Sequence, residues 1–167
     1  MTTTTAHPLP HGTSLVVTPS FELARYHLRE METQRGIMLV SGDPGLGKTT
    51  ALQVLLPQTR IPARYVELRV AARGLSVMRS VVTALGGVPP TRGDELVEFA
   101  CELVANRRLL LVVDEAHQMN LEAMQAFRYL WDRPDSDFGL VLSGKTFRGL
   151  RTKAPELDSR VSRRVMF

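Results

Sequence analysis

The segment from Gly42 to Thr49, GDPGLGKT, limits the possible folds more than any other part of the sequence. It matches G-x-x-x-x-G-K-[ST] at every fixed position, and it lies between the short apolar run of residues 37–41 and an apolar segment that begins at Ala51. A strand, a glycine-rich loop and a helix in this order bind phosphate, because the glycines let successive backbone N–H groups point at one anion and the helix N-terminus adds positive charge. The segment therefore predicts an α/β protein that holds a polyphosphate.

This loop predicts which groups contact a nucleotide. The Lys48 ammonium is placed to reach the β- and γ-phosphates, and the Thr49 hydroxyl is placed to ligate Mg²⁺. The alternative is a glycine-rich strand-to-helix turn with a chance lysine, which the full match and its flanking segments disfavour. The predicted nucleotide contacts are Gly42, Asp43, Pro44, Gly45, Leu46, Gly47, Lys48, Thr49 and Thr50.

Two carboxylates follow the most hydrophobic run of the chain, residues 109–113, in the sequence LLLVVDEAH. Asp114 is the first polar residue after this predicted strand, and open α/β sheets bind ligands at the carboxyl ends of their strands. We predict that Asp114 serves the magnesium site and that Glu115 polarises a water for attack on the γ-phosphorus. The alternative is an acidic helix N-terminus favoured only by the helix dipole. His117 is predicted to be a polar contact near the sheet edge.

A third strand and a group of arginines complete the candidate site. The strand of residues 138–144 places Ser143 at its edge, where the hydroxyl is predicted to bond the γ-phosphate or the attacking water. The segment ELDSRVSRRV then supplies Arg160, Arg163 and Arg164. Together these motifs resemble those of the AAA+ ATPases over residues 18–167. More narrowly, the DEAH tetrapeptide, the strand ending in a small polar residue and glycine, and the L-x-S-R-V segment are similar to those of the transposition ATPases of phage Mu and related transposons, and of secretion-linked relatives.

The resemblance implies a fold, a cofactor and an assembly. The fold is the α/β P-loop NTPase three-layer α-β-α sandwich with a parallel five-stranded sheet. The cofactors are ATP and Mg²⁺, and the assembly is a homo-oligomer in which an arginine reaches the nucleotide of the neighbouring subunit. Arg160 matches that arginine and Arg163 is the second choice; the alternative for Arg160 is a surface charge or an ion pair with Asp158 or Glu156. The predicted catalytic groups are Lys48, Glu115, Ser143 and Arg160.

The organisation along the chain follows from the order of patterns. Residues 1–17 are predicted to be a disordered leader, because the opening stretch MTTTTAHPLPHG lacks the basic and then apolar regions of a signal peptide. Residues 18–167 alternate helical and strand patterns, which predicts one core with helices on both faces of the sheet. The AAA+ resemblance implies a helical lid after such a core, and the expectation is that the sequence holds the core without this lid.

Charge and composition indicate which classes of partner the chain can bind. The chain has a net charge of +4, but residues 145–167 contain seven Lys and Arg against two acidic residues, so that its basic character lies there. Lysine and arginine favour binding to nucleic acid phosphates, and without a helix-turn-helix or zinc motif we expect any binding to double-stranded DNA to be independent of sequence.

Cysteine content and hydropathy indicate where the protein is located. The single cysteine, Cys101, excludes an intramolecular disulfide, is predicted to be buried and fits a cytoplasmic protein. No apolar run approaches the ~18 residues that span a membrane, so no membrane association is expected.

Three functions are compatible with these patterns. The first is an ATP-driven switch that assembles on DNA and recruits an enzyme such as a transposase. The second is a nucleotide-gated protein–protein module without DNA binding, as in secretion-linked or regulatory ATPases. The third is a truncated remnant that binds nucleotide without turnover. Hydrolysis of ATP with and without duplex DNA distinguishes the three.

Overall fold

Five parallel strands form the centre of the fold in a computed structural model that describes residues 16–68 and 74–167. The strands lie in the order β2-β3-β4-β1-β5, so β1 lies between β4 and β5 and the chain crosses over to reach β2 at the far edge. Their bounds are β1 Ile37–Ser41, β2 Ala63–Glu67, β3 Leu109–Asp114, β4 Phe138–Gly144 and β5 Val161–Met166.

In the described parts of the chain, seven α-helices connect or flank these strands. They are α1 Pro19–Met31, α2 Lys48–Leu55, α3 Gly74–Ala84, α4 Leu96–Val104, α5 Leu121–Asp132, α6 Leu150–Lys153 and α7 Pro155–Asp158. Short 3₁₀ turns lie at Leu56–Gln58, Gly93–Glu95 and Ala116–Gln118. Within the described residues, no helix is both long enough and apolar enough to cross a membrane.

The helices cover both faces of the sheet. On one face α1 and α2 pack against the side chains of Met38, Val112 and Val141. On the other face α3, α4, α5 and the short α6 and α7 pack against the alternate residues of the same strands. The strands β3 and β4 are buried at every position because they are covered from both sides. The predicted three-layer α-β-α sandwich with a parallel five-stranded sheet is confirmed.

Local sequence accounts for most element boundaries. Thr18 caps α1 by accepting the Phe21 N–H, and Asn120 caps α5 by accepting the Ala123 N–H, as the capping preferences of threonine and asparagine predict. The same preference predicts Asp94 as the cap of the helical pattern in residues 93–108, and that prediction is wrong. The chain passes through the 3₁₀ turn Gly93–Glu95 before α4 begins, and the Asp94 carboxylate instead lies 3.7 Å from Arg92.

Two further predictions concern a core residue and the N-terminus. Cys101 is buried, as predicted. The predicted leader, residues 1–17, falls almost wholly on residues 1–15, which lie outside the described residues; Val16 and Val17 are exposed.

The parallel strands all point their carboxyl ends to one edge of the sheet, and the loops after β1, β3 and β4 meet there.

Candidate nucleotide site

The loop between β1 and α2 has the backbone of an anion-binding turn. Gly45 and Gly47 have φ values of 84° and 87°, in the left-handed region that residues with a side chain rarely adopt. No atom lies within 4 Å of a Cβ built on either glycine, so conformation rather than crowding requires glycine at both positions. Helix α2 begins directly after Gly47, so its first N–H groups open onto the loop.

The Lys48 ammonium is held by its own loop. Lys48 is only 7% exposed, and its Nζ donates to the carbonyl oxygens of Gly42 at 2.7 Å and Asp43 at 2.9 Å. An ammonium has three donors, so one N–H remains for another acceptor. The lysine is therefore positioned in advance at the mouth of the loop, which reduces the conformational entropy that binding of an anion would cost.

Thr49 and Asp114 meet although 65 residues separate them. The Thr49 hydroxyl donates to Asp114 Oδ2 at 2.7 Å, which joins the phosphate loop to the end of β3. Asp114 is only 2% exposed. Burial acts to raise the pKa of Asp114, but hydrogen bonds from Tyr65, Thr49 and the Glu115 N–H, together with the nearby Ser143 hydroxyl, outweigh it, so that the pKa of Asp114 is lowered. This carboxylate is therefore ionised at neutral pH.

Tyr65 is a member of this cluster that the sequence patterns did not indicate. Its hydroxyl donates to Asp114 Oδ2 at 2.5 Å from the neighbouring strand β2. Burial of the phenol and its hydrogen bond to Asp114 raise the pKa of Tyr65, so the hydroxyl stays protonated and acts as the donor. No motif could have identified it, because the contact depends on the pairing of β2 with β3.

Glu115 lies in a strained turn. Its φ of 56° is in the left-handed region, which is uncommon for a residue with a long side chain and which is found often at functional sites. The turn directs the backbone N–H of Glu115 at Asp114 Oδ1, at 2.9 Å. The Glu115 carboxylate is partly exposed and lies 3.4 Å from Gln118 Nε2. It is thus accessible at the same sheet edge as the loop.

His117 makes the polar contact predicted for it. Its Nδ1 accepts the backbone N–H of Lys145 at 3.2 Å, which links the turn after β3 to the end of β4. The same atom lies 3.5 Å from Glu115 Oε2. A ring nitrogen that accepts a hydrogen bond from an amide carries no proton. Nδ1 of His117 therefore acts as an acceptor for the Lys145 N–H and does not donate to Glu115. The Lys145 carbonyl in turn accepts the Gly42 N–H at 3.3 Å.

Substitution of Gly144 with alanine is expected to destabilise this junction. A Cβ at Gly144 would lie 2.9 Å from His117 Nδ1 and 3.0 Å from the His117 backbone nitrogen, so the turn would have to move. Such overpacking costs about 1–3 kcal/mol. Urea unfolding should show this loss for Gly144→Ala but not for Gly149→Ala, where the nearest atom is 3.5 Å away. Equal stability of the two variants would show that the junction is not tightly packed.

Ser143 lies at the predicted strand end but is not open to solvent. It is fully buried, and its hydroxyl makes no hydrogen bond of ordinary geometry, although it is close enough to Asp114 to help lower the pKa of that carboxyl. A buried hydroxyl without a partner is costly, which favours a further acceptor or a water at this position.

The three predicted arginines are all paired within the chain. Arg160 binds both carboxylate oxygens of Asp132, with a distance of 2.7 Å from its Nη2 to Oδ2, and it also donates to the Glu156 carbonyl. Arg163 lies 3.4 Å from Glu30 and Arg164 lies 2.6 Å from Asp158. The intrachain alternative for Arg160 had Asp158 or Glu156 as its partner; the carboxylate in the structure is Asp132.

The donor atoms at this edge fit magnesium bound together with a nucleotide. Mg²⁺ prefers oxygen ligands, and it commonly takes one or two from the protein and the rest from phosphates and water. Thr49 and Asp114 supply hydroxyl and carboxylate oxygens of this kind. Elsewhere in residues 16–68 and 74–167, no group of three or more His, Cys, Asp or Glu side chains could hold a metal by itself.

Solved structures of low sequence identity share this fold. The Aeropyrum pernix Orc1 protein, solved in complex with DNA, superposes with a TM-score of 0.71 at 15% identity over 90% of this chain and 46% of that one. Cdc6p from Pyrobaculum aerophilum gives 0.67 at 16% identity, over 92% and 47%. The Thermotoga maritima RuvB Holliday junction branch migration motor gives 0.55 at 16% identity, over 91% and 45%. The chain thus spans about half the length of these proteins.

Sequence comparison gives the family. No curated protein matches the chain at a significant level. The family model described as an AAA domain matches residues 30–152, a range that contains the phosphate loop, the Asp114–Glu115 pair and Ser143. Since this match covers most of the sequence and the fold agrees with it, the chain belongs to the AAA domain family.

Proposed function

We propose that this chain binds ATP with Mg²⁺ and hydrolyses it, and that the bound nucleotide controls assembly on double-stranded DNA. The observation that carries the nucleotide part is the 2.7 Å hydrogen bond between Thr49 and Asp114. It brings the residue that follows Lys48 in the phosphate loop to a buried, ionised carboxylate on another strand. A glycine-rich turn without a ligand has no need of a charged group at this position.

The chain's own residues divide the chemistry among them. Lys48 and the α2 N-terminus supply positive charge for the β- and γ-phosphates. Bound Mg²⁺ would neutralise the negative charge that develops on the leaving phosphate group. Glu115 orients and polarises the attacking water, and the Ser143 hydroxyl donates to the γ-phosphate or to that water. The contacts from Gly42 to Thr50 hold the phosphates in place.

The DNA part of the proposal has support from the distribution of unpaired charge. Three of the seven basic residues in 145–167 are paired internally, as described above. The other four lie in one short stretch, residues 145–153, which we name the basic segment. Its side chains Lys145, Arg148, Arg151 and Lys153 are exposed, and among the described residues none of them pairs with a carboxylate. Exposed cations without acidic partners suit a phosphate backbone.

The basic segment is held on the protein by apolar anchors. Phe147 and Leu150 pack into the core shared by α3, α4 and α5, and so do Ala154 and Leu157 just beyond the segment. The cationic side chains therefore point outward from a fixed backbone. A surface of this kind is expected to contact DNA without reading its sequence.

The assembly and the partner enzyme also belong to this proposal. The DEAH tetrapeptide and the LDSRV segment support a role beside a transposase, in a homo-oligomer where Arg160 serves the nucleotide of the next subunit. For Arg160 to do so, it must leave the bidentate ion pair with Asp132. Exchange of that carboxylate for a nucleotide phosphate would replace one charge-assisted contact with another.

Hydrolysis of ATP with and without duplex DNA tests the proposed function. We expect Mg²⁺-dependent turnover that DNA stimulates, and DNA binding that weakens steeply as salt rises. A variant with glutamine at all four basic positions of the segment should retain nucleotide binding. It should lose DNA stimulation, and its salt dependence should become shallower by about 0.9 per phosphate contact removed.

A charge-matched control separates the segment from net charge. Glutamine at Arg29, Arg60, Arg92 and Arg107 removes the same number of exposed cations elsewhere on the surface. This control should bind DNA almost as the wild type does. Turnover that is indifferent to DNA in every variant would favour a protein-only module, and nucleotide binding without turnover would favour a remnant without activity.

A further inference from the structure

Tyr65 reaches the magnesium-site carboxylate from the edge strand of the sheet. The register of the two strands pairs Tyr65 with Val112 and Glu67 with Asp114. Because side chains alternate along a strand, Tyr65 lies on the same face as Val112 and Asp114, and its long ring carries the hydroxyl forward to the carboxylate. A shorter side chain at this position could not reach Asp114.

The hydrogen bonds of Asp114 occupy most of its acceptor capacity. Oδ2 accepts from Tyr65 at 2.5 Å and from Thr49 at 2.7 Å, while Oδ1 accepts the Glu115 N–H at 2.9 Å. An ionised carboxylate offers about four lone-pair positions. Both positions on Oδ2 are therefore taken, and the open one is on Oδ1.

The hydrogen bond from Tyr65 to Asp114 differs from the other tyrosine–carboxylate hydrogen bonds of the chain. The chain has three tyrosines, and each donates its hydroxyl to a carboxylate: Tyr26 to Glu30 at 3.1 Å, Tyr129 to Glu98 at 2.7 Å and Tyr65 to Asp114. The first two pairs are exposed, where such bonds contribute little. Of the three, only the Tyr65 bond ends on a buried carboxylate, and only this bond shares its acceptor with a phosphate-loop residue.

We propose that Tyr65 is a positioning residue for the magnesium site: its hydroxyl fixes Oδ2 of Asp114 against Thr49 and leaves Oδ1 to accept from the water shell of Mg²⁺. This inference rests on the proposed nucleotide function. It assigns this contact to Oδ1 and not to Oδ2, because both lone pairs of the oxygen next to Thr49 are already taken. The hydroxyl of Thr49, whose proton is directed at Asp114, keeps its own lone pairs for the metal.

Removal of the Tyr65 hydroxyl tests the inference. Tyr65→Phe keeps the ring and its packing but frees one lone pair of Oδ2. Binding of a fluorescent non-hydrolysable ATP analogue is measured in EDTA and over a Mg²⁺ titration. We expect the Mg²⁺ concentration for half-saturation to rise about tenfold, as for other groups that orient a metal ligand, with the metal-free affinity unchanged.

Two further variants make the outcome specific. Tyr129→Phe removes the same hydroxyl from an exposed carboxylate and should leave the Mg²⁺ titration as in the wild type. In an Asp114→Asn background, Tyr65→Phe should add no further change, because the group that it positions is already altered. A merely structural role would instead lower the metal-free affinity and add to the effect of Asp114→Asn.

The failure of this inference is distinguishable from failure of the proposed function. A wild-type chain that binds no nucleotide overturns the proposed function and, with it, the inference. A wild-type chain whose nucleotide binding depends on Mg²⁺, with the same Mg²⁺ titration in Tyr65→Phe, overturns the inference alone. An equal loss of affinity with and without Mg²⁺ also overturns it.

Discussion

Lys48→Ala is expected to abolish measurable nucleotide binding. The ammonium is held by the Gly42 and Asp43 carbonyls at the mouth of the loop, with one donor left for a phosphate oxygen. Hydrogen bonds to charged groups contribute about 1.5–3 kcal/mol each, so the loss of this bond, together with the loss of the positive charge beside the phosphates, should weaken binding by roughly 100-fold or more. Isothermal titration calorimetry with ATP and Mg²⁺ measures this directly.

The matched control for Lys48 is another lysine. Lys153→Ala removes an exposed ammonium that makes no contact with the loop, so it should leave ATP affinity unchanged. The alanine variant of Lys48 should fold, because the loop glycines and not the lysine set the backbone of the turn. If Lys48→Ala bound ATP as tightly as the wild type does, the loop would not be the phosphate site.

Glu115→Gln is expected to stop turnover while ATP remains bound. The amide has the same shape as the carboxylate, but it cannot accept a proton from water. General-base catalysis contributes about 10²- to 10⁴-fold, so hydrolysis should fall by that factor. Steady-state phosphate release measures turnover, and equilibrium binding of ATP in the same preparation measures retention.

A second glutamate provides the comparison for this result. Glu102 is exposed on α4, away from the sheet edge, and Glu102→Gln should leave both turnover and binding unchanged. Hydrolysis at the wild-type rate in Glu115→Gln would remove Glu115 from its proposed role. The strained turn at this residue would then need another explanation.

Local patterns were sufficient to predict most of the fold. The apolar runs that became β1 and β3 are short and end at polar residues, and the phosphate loop follows from glycines at fixed spacing. Helix capping at Thr18 and Asn120 is also local, since the capping side chain and the backbone N–H that donates to it are three residues apart. Asp94 shows where local patterns fail. It lies within a 3₁₀ turn, and α4 begins only after that turn, so the Asp94 side chain does not cap the helix.

The site depends on contacts that the sequence pattern does not contain. No sequence pattern marks Tyr65 as a site residue, because which strand pairs with β3, and in which register, is a property of the whole sheet. Arg160 has Asp132 as its partner because the end of α5 lies beside the turn before β5, and 28 residues separate the two. Proximity in the sequence favours Asp158 and Glu156 instead, which lie two and four residues from Arg160. The roles of the site residues themselves stay predictions.

The peptide groups of Lys145 carry a consequence for the whole site. Its carbonyl accepts from Gly42 in the phosphate loop, and its N–H donates to His117 in the turn after Glu115. The first residue of the basic segment is thus bonded to both walls of the site. A ligand that displaced this peptide would lengthen both bonds together, and thermodynamic linkage makes the effect mutual. If bound DNA changes the affinity for the nucleotide by some factor, the bound nucleotide changes the affinity for DNA by the same factor.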